Sequence, residues 1–185
     1  LTGTPADCVK FAVLELMEPP PDLVVSGINA GLNHGCNVFY SGTVAAALEG
    51  AMYGIRSVAV SCDPTEPFRL EYVARQAGRA LCHILRRKEC EARAYNVNLP
   101  VLHERSPEII FARHQPGAFR EHYVREDSDG QSAFRLDLSG GEEGVVDDES
   151  DVLALKRGKI AITPLSTSLT DHRALAHLND VRTSE

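Results

Sequence analysis

Residues 22–54, DLVVSGINAGLNHGCNVFYSGTVAAALEGAMYG, constrain the fold more than any other stretch of the chain. They open on an apolar run, Leu23-Val24-Val25, that reads as a strand buried on both faces. A glycine- and asparagine-rich loop follows over residues 26–40. Ser41-Gly42-Thr43 then opens a helical segment over residues 44–53, and Gly54 is placed to end it. Strand, loop, helix is the repeating unit of an open α/β sheet, where ligands bind at the carboxyl ends of strands.

The chemistry of this loop suits an anion. Gly27, Gly31, Gly35 and Gly42 let backbone N–H groups come close to a ligand. Ser41 and Thr43 add hydroxyls where the helix begins, and a helix N-terminus carries free N–H groups and partial positive charge. Asn29, Asn33 and Asn37 offer neutral oxygens of the kind a hard cation accepts. A plain connection with a Ser or Thr N-cap has the same composition, so both readings stand. The glycines are spaced G-x3-G-x3-G and no Gly-Lys-Ser/Thr occurs, which excludes the dinucleotide fingerprint and the P-loop.

The rest of the chain extends the α/β pattern. Thr4 and Pro5 start a helix as N-cap and first-turn proline, with Cys8, Val9, Ala12, Val13, Leu16 and Met17 at helical spacing before Pro19-Pro20-Pro21. Residues 57–61 and 95–99 read as buried strands. Between them residues 68–87 form an amphipathic helix with Tyr72, Val73, Ala77, Leu81, Ile84 and Leu85 inward. Such alternation gives crossover connections and a mostly parallel, Rossmann-like sheet with helices on both faces. Residues 108–112 add a strand. Residues 122–138 form a hairpin turning at Asp129-Gly130, with Phe134, Leu136 and Leu138 on one face. A lone hairpin is marginal in water, so this one needs a sheet or another subunit. Residues 140–151 are acidic and match no metal motif, which makes them a solvated loop. A tight turn at Arg157-Gly158, a strand at 159–163 and a short helix from Thr170-Asp171 end the chain. The organisation expected is a core over 1–112, a hairpin and acidic loop over 113–155, and a strand and helix over 156–185.

The composition limits the partners. The 185 residues are 43% hydrophobic and 24% charged, which suits a domain with a real core. A net charge of −7 does not steer toward polymeric nucleic acid, and no run reaches the ~20 apolar residues of a membrane helix. Five cysteines without a C-x-x-C pair read as free thiols in a reducing cytoplasm. His172 and His177 do not share a helix face, His34 reads as a surface loop residue, and no Ser-His-Asp set is visible.

SGINAGLNHGCNVFYSGTVAAALEG resembles the signature of the SurE family of survival-protein nucleotidases, SGIN-x-G-x-N followed by YSGTV-x-A-A. GTPADCV at 3–9, NVNLP at 96–100 and ITPL at 162–165 resemble further blocks of that family, in family order. The resemblance implies hydrolysis of phosphomonoesters, chiefly nucleoside monophosphates, with a divalent metal, Mg²⁺ or Mn²⁺. It implies that Asn29 is a metal ligand and that Asn33, Ser41, Gly42 and Thr43 hold the phosphate. It assigns no catalytic residue to this chain. The family's main metal ligands, the aspartates of an Asn-Asp-Asp-Gly motif, are expected upstream of GTPADCV with the first strand, so the sheet is expected to be N-terminally truncated. The hairpin is expected to build a homodimer or homotetramer. The alternative is a catalytically inactive phosphate- or nucleotide-binding or oligomerising module.

Overall fold

A computed structural model describes residues 2–64, 69–87, 89–90, 92–101, 106–117, 122–128, 131–137 and 147–182. Among them the strands are β1 (Leu23–Ala30), β2 (Arg56–Cys62), β3 (Ala94–Leu99), β4 (Ile109–Phe111), β5 (His122–Ser128), β6 (Gln131–Asp137) and β7 (Ile160–Leu165). Five of them make one sheet in the order β1-β2-β3-β7-β4, and β5 and β6 make a separate hairpin. β1–β2, β2–β3 and β4–β7 pair in parallel, and β3–β7 pair antiparallel. The mixed sheet follows from connection length. Helices α2 (Gly42–Met52) and α3 (Leu70–Leu85) carry the chain back between β1, β2 and β3. Only residues 100–108 separate β3 from β4. That is too short for a parallel crossover, so the chain reverses.

The two faces of this sheet differ in chemistry because successive strand residues alternate sides. Val58, Val60 and Cys62 of β2, Tyr95, Val97 and Leu99 of β3, and Ile160 and Ile162 of β7 meet Val73, Ala77, Ala80 and Ile84 of α3. On the other face Ala59 packs on Val44 and Ala47 of α2, and Ala161 packs on Ala154 and Leu155 of α4 (Asp151–Lys156). Helices on both faces of a mostly parallel sheet are the architecture expected. Residues 151–155, expected to lie with the hairpin, belong to this core through α4, and β7 lies inside the sheet between β3 and β4. Leu85, expected inward, is 40% exposed, because Ile84 takes the buried face and the next residue is turned about 100° away.

The first helix, α1 (Pro5–Phe11), begins as the sequence indicates. Thr4 Oγ1 accepts from the Asp7 N–H, and the Asp7 carboxylate accepts from the Thr4 N–H at 2.8 Å. Residues Ala12–Leu16 then widen into a π turn. Cys8 before this turn, and Leu16 and Met17 at its end, all expected on the apolar side, are exposed. α1 lies along α2, with Pro5 against Gly42 and Lys10 3.9 Å from Glu49. The hairpin carries Tyr123, Phe134 and Leu136 on one face, all exposed, with Tyr123 opposite Leu136 in register. Its other face holds the Glu126–Arg135 and His122–Asp137 pairs. The expected turn at Asp129-Gly130, Leu138 and most of the acidic stretch lie outside the described residues. Helix α5 (His172–Arg182) is capped by Asp171, whose carboxylate accepts from the N–H groups of Arg173 and Ala174.

β1 departs from the expectation in two ways. It is the outermost strand of the described sheet, so Val25 is 46% exposed instead of buried on both faces. It also runs on through Ser26–Ala30, residues read from sequence as loop. These residues lack apolar alternation, and the backbone ladder to β2 holds them extended. The ladder contains a bulge. Ser26 pairs with Ala59 but Asn29 pairs with Ser61, so β1 spends one extra residue. That extra residue moves Asn29 to the α2 face and leaves Ile28 packed toward α3. Gly27 makes the bulge with φ +120°, and a Cβ there would collide with the Val60 carbonyl oxygen. Gly27→Ala is therefore expected to lower the unfolding free energy by about 1–3 kcal/mol in urea denaturation. A change under ~0.5 kcal/mol would contradict the close approach at the bulge.

Candidate active site

Asn29 stands at the end of β1, beside Ser61 of β2. Its Nδ2 donates to the Gly31 carbonyl at 2.7 Å, and the Gly31 N–H donates to the Cys62 carbonyl at 2.9 Å. A carbonyl only accepts, so the bond to Gly31 fixes which end of the amide is nitrogen. Oδ1 is thereby the atom that Asn29 offers to a ligand. The Cys62 thiol donates to the Asn29 carbonyl at 3.5 Å. Burial, with the Asp63 carboxylate nearby, pushes that thiol up from its ordinary pKa, so it stays protonated near neutrality.

The loop after β1 is pinned to the sheet at Asn33. Its N–H donates to Asn98 Oδ1 at 2.8 Å, and its carbonyl accepts from the side-chain amides of Asn96 and Asn98 at 2.6 and 3.2 Å. Its own Nδ2 donates to Ser61 Oγ at 2.7 Å, and the residue is 9% exposed. Its amide nitrogen is committed to β2 and both its backbone groups to β3, which makes it the residue that positions the loop. Two residues on, Gly35 donates to Asp151 Oδ2 at 3.1 Å, and its carbonyl meets His114 Nε2 at 2.9 Å. Asp151, placed by composition in a solvated acidic loop, is fully buried. Its carboxylate accepts from the N–H groups of Gly35, Gln115 and Val152, bonds that offset the cost of burying the charge. His34, expected on the surface, is half-buried.

From Gly35 a 3-10 helix (Gly35–Tyr40) delivers the chain to the start of α2. Ser41 is its N-cap, with Oγ accepting from the Val44 N–H at 3.2 Å, and the Ala45 N–H donates to the Ser41 carbonyl at 2.9 Å. The N–H groups of Gly42 and Thr43 come before the first intrahelical bond. Gly42 is exposed, and Pro5 fills the space a Cβ there would need, 3.1 Å away. The structure therefore brings Ser41, Gly42 and Thr43 together at a helix start. It places Asn29 at the same carboxyl end of the sheet and puts Asn33 in the wall beneath. The capping reading of Ser41 holds, and it leaves the anion reading open, since a cap and an anion site use different N–H groups.

The residues that sequence reasoning missed are the anchors Ser61, Asn96, Asn98 and Asp151. Their signal was two asparagines at alternate positions in an otherwise apolar strand, which puts both amides on one face and requires a polar group opposite. Asn33→Ala is expected to cost about 1–3 kcal/mol, since it strips a partner from the buried Ser61 hydroxyl. Asp151→Ala is expected to cost more, since three N–H groups, two of them in buried bonds, lose their acceptor. Urea unfolding of both variants checks this ordering. Equal, near-zero losses would mean that water replaces the bonds.

The fit to a divalent metal is partial. Asn29 supplies one neutral oxygen, and among the described residues no three His, Cys, Asp or Glu side chains converge. The described residues do not complete a metal shell.

A model of the family described as survival protein SurE matches residues 1–120. The chain is 42% identical over 179 residues to a 5'-nucleotidase SurE of Syntrophobacter fumaroxidans, covering 95% of this chain and 70% of that one. It is 36% identical over 180 residues to a 5'-nucleotidase SurE of Rhodopirellula baltica, covering 96% and 71%. Its structure matches the crystal structure of the SurE protein from Aquifex aeolicus with a TM-score of 0.81 at 31% identity, over 98% of this chain and 74% of that one. The motif, the sheet and these likenesses agree, and the chain belongs to the SurE family.

Proposed function

We propose that this chain is a metal-dependent phosphomonoesterase acting on nucleoside monophosphates, with the phosphate held at the start of α2. The observation that carries the reading is the pair of N–H groups at Gly42 and Thr43, flanked by the Ser41 and Thr43 hydroxyls. An eleven-residue helix adds its N-terminal partial charge to them. Phosphate-monoester hydrolysis is among the slowest uncatalysed reactions, and fixed donors around the phosphoryl oxygens stabilise the charge that shifts as the ester bond breaks. Asn29 Oδ1 would offer one ligand to the cation, Mg²⁺ or Mn²⁺. The described residues complete no shell, so no step is derived through it.

The partners follow the same logic. Small phosphomonoesters suit a chain of net charge −7 better than polymeric nucleic acid does. The five cysteines are free, which suits the cytoplasm, and among the described residues no helix is long and apolar enough to cross a membrane. The exposed Tyr123, Phe134 and Leu136 suit a homodimer or homotetramer built through the hairpin. A second reading, a module that binds phosphate or nucleotide without cleaving it, is favoured by the neutrality of Asn29 as a ligand.

Phosphate release from nucleoside monophosphates with added Mg²⁺ or Mn²⁺, against an EDTA-treated control, separates the two. The first reading predicts metal-dependent release, and it predicts that Ser41→Ala with Thr43→Ala raises KM by about tenfold with a smaller change in kcat. Folded protein that binds AMP and releases no phosphate would favour the second. Unchanged kinetics in the double variant would remove the helix start from the site.

A further inference from the structure

The amino ends of β2 and β3, opposite the proposed reaction site, hold a second arrangement of polar groups. Tyr95, the second residue of β3, is 2% exposed and packs in the core on the α3 side. Its hydroxyl is buried, and no hydrogen bond of full geometry reaches it. A buried hydroxyl without a partner costs free energy, so a group that completes it is favoured. The polar group it faces is the thiol of Cys90. Cys90 lies in the turn after α3, where its N–H donates to the Arg87 carbonyl at 3.3 Å. It is half-buried and packs against the same core. A neutral thiol is a weak acceptor, whereas a thiolate is a strong one.

The groups around the sulfur favour that thiolate. The Tyr95 hydroxyl, and after it the Ala92 N–H, lower the Cys90 thiol from its ordinary range. The Arg56 guanidinium, on the first residue of β2, acts in the same direction, while partial burial and the Glu89 carboxylate oppose it. Burial, with the Cys90 thiol beside it, pushes Tyr95 up to about 12, and Arg56 and Arg93 moderate that rise. The phenol therefore keeps its proton near neutrality and acts as a donor. Cys8 and Cys82 are more exposed than Cys90, so access alone would favour those two.

We infer that Cys90 is a site of oxidative modification by a small peroxide, with Tyr95 holding the oxygen that the sulfur gains. The thiolate sulfur attacks one oxygen of hydrogen peroxide. A sulfur–oxygen bond forms, the oxygen–oxygen bond breaks, and hydroxide leaves and takes a proton from solvent. The sulfur loses two electrons, the peroxide is reduced to water, and the product is a sulfenic acid. The Tyr95 hydroxyl then donates to the sulfenic oxygen, which completes the bond that the buried phenol lacks. This assignment is independent of the phosphomonoesterase reading, since it uses the other end of the sheet.

The test is brief treatment of the whole 185-residue chain with hydrogen peroxide at neutral pH, trapping of sulfenic acid with dimedone, and mass spectrometry of each cysteine. Cys90 is expected to be trapped about threefold or more faster than Cys8 or Cys82, although both are more exposed. Tyr95→Phe keeps the ring and removes only the hydroxyl. It is expected to slow Cys90 by about threefold or more and to leave the rates of Cys8 and Cys82 unchanged, with the fold checked by circular dichroism. Arg56→Gln tests the same thiolate from a half-buried position outside the core. It is expected to slow Cys90 by about twofold, and high salt is expected to do the same to the unsubstituted protein. Cys90 trapped no faster than Cys82, or a Cys90 rate unchanged in both variants, would overturn the assignment.

Discussion

The buried polar contact between Asn33 and the strands β2 and β3 is the interaction on which the site depends. A loop that crosses the end of a sheet brings backbone N–H and C=O groups out of water, and each costs free energy unless it is bonded. Asn98 meets both the N–H and the carbonyl of Asn33, Asn96 meets the carbonyl again, and Ser61 takes the amide of the side chain. The loop is therefore held at one height above the sheet. Asp151 and His114 hold it again at Gly35. Between these fixed points and α2 lies only the 3-10 helix, so the position of the Gly42 and Thr43 N–H groups is inherited from the sheet.

The asymmetry of the sheet makes this possible. The α3 face carries valine, isoleucine, leucine and tyrosine, and supplies most of the hydrophobic core. The α2 face carries Ser57, Ser61, Asn96, Asn98 and Thr163 among alanines. Small residues let helices approach closely there; Gly50 of α2 sits against Val24 and Ser57, where a Cβ would lie 2.9 Å from the valine methyl. Polar residues on the same face give the loop something to bind. The bulge at Gly27 then rotates Asn29 onto that face. Stability and site are built on opposite sides of one sheet, and a one-residue register change moves a side chain between them.

Much of this was legible from residue pattern. The start of α2 could be read because serine, glycine and threonine before an apolar-periodic run have a local physical meaning. The hairpin could be read from its Asp-Gly turn signal and the alternation that follows it, and Thr4-Pro5 from capping chemistry. What could not be read depends on contacts distant in sequence. The bonds of Asn33 to the sheet do not show in its motif, because its partners lie 28 to 65 residues away. Asp151 sits at the end of an acidic run and looks solvated until Gly35, 116 residues earlier, is seen to bond to it. The extension of β1 through Ser26–Ala30 is dictated by pairing with β2, since Ser-Gly-Ile-Asn has no strand pattern of its own.

The most direct test of the account is a two-dimensional amide NMR titration of the chain with inorganic phosphate. If the helix start is the anion site, the Gly42 and Thr43 amides shift first and together, with saturation at a common Kd, while Asn33 and Gly35, already bonded, move little. Largest shifts at residues remote from the start of α2, or none in folded protein, would contradict it.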